Sequence, residues 1–270
     1  MCVKIRGIMK YIVWRKYFVL FVFFVGLGAS VSVAFANHSW GGYHWARTAN
    51  PFILKLGYNT SSAWKSSLAG ASADWSQSSV LDLAIVPSQT NPKNCKPING
   101  RVEVCDSKYG NNGWLGLASI WANGKHITQG TIKLNDTYFN TPTYNTSAWR
   151  NLVMCQEIAH TVGLDHQDED FYNAPLGTCM DYTIDPTPNQ HPNQHDYDEL
   201  EIIYAHLDSI STLSQTVTAK AGQDIDHENR ATWGKEIHTS LDKRTSVFER
   251  DFGNNEKAFT FVFWTGEKTD

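Results

Sequence analysis

Residues 156–166 constrain this chain more than any other segment, because their spacing predicts both a helix and the residue on which it ends. The segment reads QEIAHTVGLDH. Gln156 and His160 lie one helical turn apart, so they share a face of a helix. Gly163 is the residue type on which helices commonly end, and the chain can then return with His166. Gln156 and His160 are therefore expected on one face of a helix, and His166 lies three residues after the glycine that ends it.

The first 36 residues have the pattern of a secretory signal peptide. They contain no acidic residue, and an apolar run over residues 17–27 leads to the A-x-A cleavage pattern Ala34-Phe35-Ala36. Five basic residues precede that run: Lys4, Arg6, Lys10, Arg15 and Lys16. We expect residues 1–36 to be removed and a secreted protein to begin at Asn37. An uncleaved membrane anchor is the alternative, since the run approaches the roughly 20 residues that span a bilayer.

The mature chain is acidic. The sequence has 23 basic and 27 acidic residues, and loss of the five basic ones leaves 18 against 27, a net charge of −9. This balance argues against a nucleic-acid partner. The remaining 234 residues (270 minus 36) suffice for one sizeable core. We expect a monomer with a main domain over residues 37–212 and a C-terminal extension over residues 213–270.

Cysteine content predicts two disulfides. Cys2 is lost with the signal peptide, and four others remain: Cys95, Cys105, Cys155 and Cys179. An even number in an exported protein favours two bridges, and three pairings are possible. Cys95 and Cys105 bracket a short loop with Pro and Gly, which favours their pairing and leaves Cys155 for Cys179. The second bridge would then connect the residue before Gln156 to the residue before Met180. No CxxC pair is present, which argues against a cysteine zinc site.

Hydrophobic periodicity predicts an early strand, helix and strand. Phe52–Gly57 alternates as a strand does, Ser62–Trp75 has apolar residues at helical spacing, and Val80–Val86 reads as a second strand. Three more strand-like runs, RVEVCD, LGLASIW and ITQGTIKL, lie between residues 101 and 135 and are separated by Gly/Asn turns.

Two longer helices follow. The segment from Ser147 to Gly163 is apolar on almost every face, which predicts a buried helix. Residues 145–147 offer N-cap side chains, and Gly163 offers the residue after the C-cap. After a loop rich in Pro and Asn, Asp196–Leu207 is predicted as an amphipathic helix.

The tail is predicted to form a β-hairpin after a linker at Thr218–Gln223. Two strand-like runs flank residues 251–255, and in the second run Phe259, Phe261 and Phe263 share one face. A lone hairpin cannot bury such a face, so we expect it to pack on the main domain. A binding face for a wall or another protein is the alternative.

Over roughly residues 51–207, these features resemble the metzincin superfamily of zinc endopeptidases, and within it a matrixin-type catalytic domain. The long signature HExxHxxGxxH is present with its first histidine replaced by Gln156, and Cys179-Met180-Asp181-Tyr182 matches a Met-turn fourteen residues after His166. The resemblance implies an α+β, zincin-like fold with a mixed sheet, an active-site helix, a Met-turn and a C-terminal helix. It also implies that LGLASIW is the edge strand that aligns an extended polypeptide substrate. An ordinary sheet edge without a ligand is the alternative.

The same resemblance implies roles for individual residues around one catalytic Zn²⁺. His160 and His166 would be ligands, Gln156 would stand at the remaining ligand position, and Glu157 would be the general base. Met180 would form the floor of the site. Tyr182 matches a tyrosine that in the astacin and serralysin branches reaches the metal or the developing oxyanion, with a packed aromatic as the alternative. Ca²⁺ binding has no support in the sequence.

Gln156 leaves three outcomes open, because a neutral amide is a poorer zinc donor than imidazole. It can ligate weakly with Tyr182 or water completing the shell, the site can be empty, or another residue can be recruited. Four residues could serve as that additional metal ligand: Asp165, Asp168, His191 and His195. Glu157 has a purely catalytic purpose and is retained, so we prefer a secreted zinc-dependent metalloendopeptidase. The alternative is a catalytically impaired pseudoprotease that binds peptides or proteins.

Overall fold

A computed structural model describes residues 37–213 and 225–266, which belong to one compact unit, Asn37–Asp270. The predicted signal peptide and the predicted linker Thr218–Gln223 lie outside the described residues. Among the residues described, none of the helices has both the length and the apolar character needed to cross a bilayer.

A mixed sheet of nine strands dominates the described residues. The strands are β1 (His44–Trp45), β2 (Phe52–Asn59), β3 (Leu81–Pro87), β4 (Arg101–Ser107), β5 (Trp114–Asn123), β6 (His126–Asn135), β7 (Lys235–Thr239), β8 (Thr245–Gly253) and β9 (Glu256–Trp264). Their order is β3-β2-β4-β6-β5-β9-β8-β7, and β1 pairs with β6. All five strands predicted in the first half of the chain are therefore present.

The sheet has a parallel part and an antiparallel part. Strands β3, β2, β4 and β6 run parallel to one another, whereas β5 is antiparallel to β6, and β9, β8 and β7 continue in antiparallel pairs. Parallel neighbours need a long crossover, which helix α1 (Lys65–Trp75) provides between β2 and β3. The predicted α+β class with a mixed sheet is confirmed.

The other α-helices of the described residues are α2 (Asp136–Phe139), α3 (Ser147–Thr161) and α4 (Gln194–Ile203), and Arg230–Thr232 forms a short 3-10 helix. The Thr146 hydroxyl caps α3 by accepting from the Trp149 amide at 3.2 Å, and Gly163 follows the helix with a φ of +95°. Every residue from Leu152 to Thr161 is buried, as the nearly continuous apolar surface predicts. Helix α3 is therefore the central helix of the core.

Helix α4 begins earlier and ends earlier than the predicted Asp196–Leu207. Asn193 and Asp196 form a capping box, in which each side chain accepts from the other residue's backbone amide. At the other end, the Arg47 guanidinium binds the carbonyl of Tyr204 at 2.7 Å and also that of His206. The last carbonyls of a helix have no partner within it, and Arg47 binds two carbonyls just beyond the last residue of α4.

Both predicted disulfides are confirmed. Cys95 pairs with Cys105 and Cys155 with Cys179, each with Cα atoms 6.0 Å apart. The second bridge connects α3 to the segment that carries Met180. It therefore fixes the two parts of the candidate site to each other.

The C-terminal hairpin extends the main sheet, which corrects one expectation. LGLASIW lies within β5 and was expected at a sheet edge, but β5 is an interior strand, paired on one side with β6 and on the other with β9. Asn254 and Asn255 form the hairpin turn with positive φ angles of 55° and 63°, as tight hairpins require. Pairing with β5 satisfies the backbone groups of both strands and buries the aromatic face of β9.

Candidate metal centre

Helix α3 and the turn after it bring four of the predicted site residues together. Gln156, Glu157 and His160 lie on α3 and are almost completely buried. A Cβ atom at Gly163 would lie 2.1 Å from the Tyr43 carbonyl oxygen, so only glycine fits where the chain turns back. The turn places His166 beside His160, with ring centroids 4.5 Å apart and planes at 75°.

Both imidazoles present the same nitrogen to the site. His160 Nδ1 lies 3.0 Å from the Leu164 carbonyl oxygen, which is an acceptor, so this nitrogen carries the proton. His166 Nδ1 lies 3.3 Å from Asp165 Oδ1 and 3.7 Å from Glu169 Oε1. When Nδ1 donates to an acceptor in this way, Nε2 is left as the ligand nitrogen, as in many zinc sites. The tautomers expected of two metal ligands are therefore built into the surrounding chain.

Two polar groups beside the imidazoles lack partners. Within the described residues, neither the oxygen nor the nitrogen of the Gln156 amide has a hydrogen-bond partner, and Glu157 Oε2 has none either. Buried polar groups are nearly always satisfied, and an unsatisfied one costs about 1–3 kcal/mol. A cation with its water would satisfy an amide oxygen and a carboxylate at this place. The residues present therefore fit a metal, and the atoms available to hold one would be Gln156 Oε1, His160 Nε2 and His166 Nε2.

Glu157 reaches strand β5 because residue 116 is glycine. A Cβ atom at Gly116 would lie 2.4 Å from Glu157 Oε1 and 2.7 Å from Val153 Cγ1. Neither distance is possible for a real Cβ atom, so any other residue would push the carboxyl group away. Gly116 thus positions Glu157, a role that the sequence analysis missed and that only the packing of α3 on β5 shows.

Burial dominates the electrostatics of the site. It raises the pKa of Glu157 well above its ordinary value. Burial and the neighbouring His166 lower the pKa of His160 to about 3, so this imidazole is neutral and able to bind a metal. Burial also opposes the charged form of His166, but the hydrogen bonds and charges of Asp165 and Glu169 outweigh it and raise the pKa of His166.

Tyr182 contacts the site directly, and Met180 is buried two residues before it. The Tyr182 hydroxyl lies 2.5 Å from His166 Nε2 and 3.2 Å from its Nδ1, so it hydrogen-bonds the ring nitrogen that a metal would take. Met180 is fully buried, and its carbonyl accepts from the Gln167 amide at 2.6 Å. Tyr182 also stacks on Phe171, with centroids 4.8 Å apart, so the tyrosine is both packed and directed at the site.

The aromatic face of β9 packs on His160 and Tyr182. Phe261 stacks on His160 with centroids 4.3 Å apart and planes at 5°, while Phe263 contacts Tyr182 at 5.5 Å. Phe259 packs on Tyr43 at 4.7 Å, and all three phenylalanines are buried. The alternation in the sequence predicts their common face. What it could not predict is that this face lies over the site.

The four residues considered for recruitment have other positions. Asp165 stays beside His166 as a partner of its Nδ1. His191 is exposed and binds Asp74 at 2.7 Å, and His195 stacks on His38. Asp168 pairs with Asp181 through the backbone and accepts from the Asp170 amide at 2.6 Å. The structure therefore offers Asp165 as a support for His166, while the other three contact different groups.

The N-terminal segment supports the turn after α3, which the sequence analysis did not anticipate. The Trp40 amide donates to the Gly163 carbonyl at 2.8 Å, and the Asp165 amide donates to the His38 carbonyl at 2.6 Å. These bonds fix the turn that carries His166. Cleavage before Asn37, as predicted, leaves this N-terminal segment intact. The residue pattern of the segment, however, does not indicate that it binds the turn after α3.

The sequence matches no family model. It matches no curated protein either. Among solved structures, one similar to this chain is described as the structure of myroilysin, with 12% identity, a TM-score of 0.38, and coverage of 62% of this chain and 98% of that one. Another is high choriolytic enzyme 1, a hatching enzyme zinc-protease from the medaka fish Oryzias latipes, with 12% identity, a TM-score of 0.32, and coverage of 60% and 94%. Overlaps this loose carry no argument about function.

Proposed function

We propose that this chain is a secreted zinc-dependent metalloendopeptidase of the metzincin type, held closed by its own C-terminal hairpin. The observation that carries the proposal is the buried meeting of two imidazoles, each with Nδ1 beside an acceptor, next to an unpartnered amide and an unpartnered carboxyl oxygen. His160, His166 and Gln156 would hold the zinc ion. The two disulfides suit the oxidising conditions that exported proteins meet.

The residues around the metal have separate chemical tasks. When bound, zinc supplies a Lewis acid that polarises the scissile carbonyl and acidifies water. Glu157 would accept a proton on a carboxylate oxygen and pass it to the leaving amine. Tyr182, whose hydroxyl is directed at the ligand edge of His166, would donate a hydrogen bond to the developing oxyanion.

The substrate would be a polypeptide, bound along β5 in place of β9. Strand β9 pairs antiparallel with β5 from Trp114 to Asn123, which is how an extended peptide adds to a sheet. Its displacement would free the backbone groups of β5 and uncover the imidazoles. The intact chain is therefore expected to be latent, with activity limited by opening of the hairpin.

A second candidate function is peptide or protein binding without cleavage. The neutral amide of Gln156 at a ligand position favours it, since zinc sites are usually built from Cys, His and carboxylates. In that case the only function of the β5 edge would be to bind β9 or an external strand. Binding of this kind would not depend on zinc.

Cleavage of an unfolded protein by purified residues 37–270 tests the two functions. The assay is run with zinc and with chelator on the intact chain and on a double variant, Phe261→Ala with Phe263→Ala, which loosens the hairpin. Glu157→Gln is added to each as the control, because it keeps the shape of the side chain but cannot accept the proton.

Zinc-dependent cutting that increases in the loosened chain and disappears with Glu157→Gln would support the peptidase. The binding function would be supported if none of the folded proteins cuts the substrate and the loosened variant binds a peptide equally well with zinc and with chelator. That result would rule out the peptidase. Circular dichroism establishes in each case that the variants are folded.

A further inference from the structure

A second group of metal-ligating side chains lies at the end of α4, apart from the residues of α3. His44 on β1 is buried, His206 is exposed, and Asp208 follows two residues later. His44 Nε2 lies 3.2 Å from His206 Nε2 and 3.5 Å from Asp208 Oδ1, and His206 Nε2 lies 3.7 Å from the same oxygen. Three ligand atoms thus form a triangle with sides of 3.2–3.7 Å.

That triangle has the size of a zinc site. Ligands bound at about 2.0–2.1 Å in tetrahedral geometry are separated from one another by about 3.3 Å. Two imidazole nitrogens and one carboxylate oxygen are also among the ligand types that zinc prefers. The His206 side chain is exposed, so water can reach the group and complete the shell.

The neighbours of the three side chains orient them as neighbours of metal ligands do. His44 Nδ1 lies 2.9 Å from the Gly42 carbonyl oxygen, an arrangement that leaves Nε2 as the ligand nitrogen. Arg47 holds the other carboxylate oxygen of Asp208 at 2.9 Å through its guanidinium, so Oδ1 is the one directed at the imidazoles. His126 Nε2 lies 3.1 Å from Oδ1 and supports the carboxylate from the start of β6.

From this geometry we infer a second metal site, in which His44, His206 and Asp208 bind one zinc-class divalent cation. The inference does not rest on the proposed peptidase activity. The ligands come from the N-terminal segment and from the chain beyond α4, which are 162 residues apart in sequence. The cation would therefore cross-link the two ends of the main domain and stabilise it.

Zinc content after dialysis against a zinc buffer tests the site, using residues 37–270 and three single variants. His206→Gln removes an exposed ligand and should leave the fold intact. His166→Gln alters only the α3 site. His191→Gln is the matched control, since His191 is exposed and binds Asp74, outside both sites. Replacement of zinc by Co²⁺ adds a visible absorption that reports a nitrogen and oxygen ligand shell directly.

We expect two equivalents of zinc in the parent protein and in His191→Gln, and one in each of the other two variants. If the α3 site does not hold zinc, the parent will have one equivalent, His166→Gln will keep it, and His206→Gln will lose it. That result would remove the proposed function but support this site. Zinc content and Co²⁺ absorption that are the same in His206→Gln and the parent would overturn the inference. In that case, the cluster is a hydrogen-bonded one, with His206 donating to His44.

Zinc should also raise the melting temperature of the parent protein, and the rise should be smaller in His206→Gln. This second measurement separates an ordered site from loose surface binding, because a cation bound loosely at the surface would raise the melting temperature of both proteins equally.

Discussion

Phe261 lies flat on the imidazole of His160, with ring centroids 4.3 Å apart and planes within 5° of parallel. The contact covers the face of the ring and leaves its Nε2 edge uncovered, so it is compatible with a metal on that edge. It also places Phe261, a residue of the same protein, where a substrate would approach. The most consequential contact of the C-terminal hairpin is thus made with a candidate metal ligand.

Phe261→Ala should open the site and destabilise the fold. Removal of a buried phenylalanine ring costs about 3–5 kcal/mol in free energy of unfolding. Under the proposed function, the rate of zinc-dependent cleavage should rise at least tenfold, because β9 leaves β5 more often. Urea unfolding measures the first effect, and cleavage of an unfolded protein measures the second.

The control for that prediction is Phe248→Ala. Phe248 is equally buried but lies on the other face of the hairpin, in a cluster with Trp233 and Trp121. It should lower stability to a similar extent without uncovering His160 directly. An equal gain of cleavage in both variants would show that general loosening, and not the contact with His160, limits access.

Gly116→Ala should be destabilising, although alanine is usually tolerated in strands. Its Cβ atom would meet Glu157 Oε1 at 2.4 Å and Val153 at 2.7 Å, so we expect a loss of about 1–3 kcal/mol in free energy of unfolding. Gly70→Ala in α1 is the matched control, because a Cβ atom there meets nothing within 4 Å. That change should stabilise the protein by about 0.5–1 kcal/mol. Chemical denaturation of both variants checks the prediction, and similar effects would contradict the packing described for Glu157.

Loss of the Cys155–Cys179 bridge should affect stability and metal binding together. The bridge closes 24 residues, so replacing both cysteines by alanine should cost about 3 kcal/mol in free energy of unfolding. It also fixes the Met180 segment to α3, so zinc affinity at His160 and His166 should fall. Replacement of Cys95 and Cys105 should cost a comparable free energy with unchanged zinc affinity. Denaturation and zinc titration of both double variants would show whether the two bridges differ in this way.

Asp106 should make the protein less stable as pH rises. Burial, together with the hydrogen bond and charge of nearby Asp136, raises the pKa of Asp106 to about 7. The folded state then holds a proton that the unfolded state releases near pH 4, so stability declines between about pH 4 and 7. Between pH 5 and pH 8 the free energy of unfolding should fall by about 1–2 kcal/mol less in Asp106→Asn than in the parent protein, after allowance for solvent screening. Urea unfolding at both pH values measures it, with the exposed Asp82→Asn as control; an unchanged slope in Asp106→Asn would refute it.

The parts of the fold that depend on local pattern could be predicted from the sequence. Helix α3 begins at the predicted Ser147 because Thr146 caps it, and it ends before Gly163 because that residue takes a positive φ. The site residues of α3 follow from the same periodicity. The disulfide pairing followed from the short separation of Cys95 and Cys105.

The parts that depend on distant partners could not be predicted. Alternation showed that Phe259, Phe261 and Phe263 share a face, but not that β5 would be their neighbour, since a strand pattern does not specify its partner. Helix α4 was expected to continue to Leu207, which would have hidden His206 within a helix. It ends at Ile203 instead, and His206 and Asp208 lie beyond it beside His44. Arg47 binds the Tyr204 carbonyl there across 157 residues, a contact that no local pattern indicates.

Gln156→His should strengthen metal binding in the α3 site, because it completes the signature HExxHxxGxxH. The amide has no hydrogen-bond partner among the described residues, so its replacement removes no bond. Imidazole is a far better zinc donor than a neutral amide, and we expect at least a tenfold gain in affinity at that site. Zinc titration in the His206→Gln background, which isolates the α3 site from the second one, is the measurement. An unchanged affinity would mean that residue 156 does not reach the metal, and that His160 and His166 bind it without help from this position.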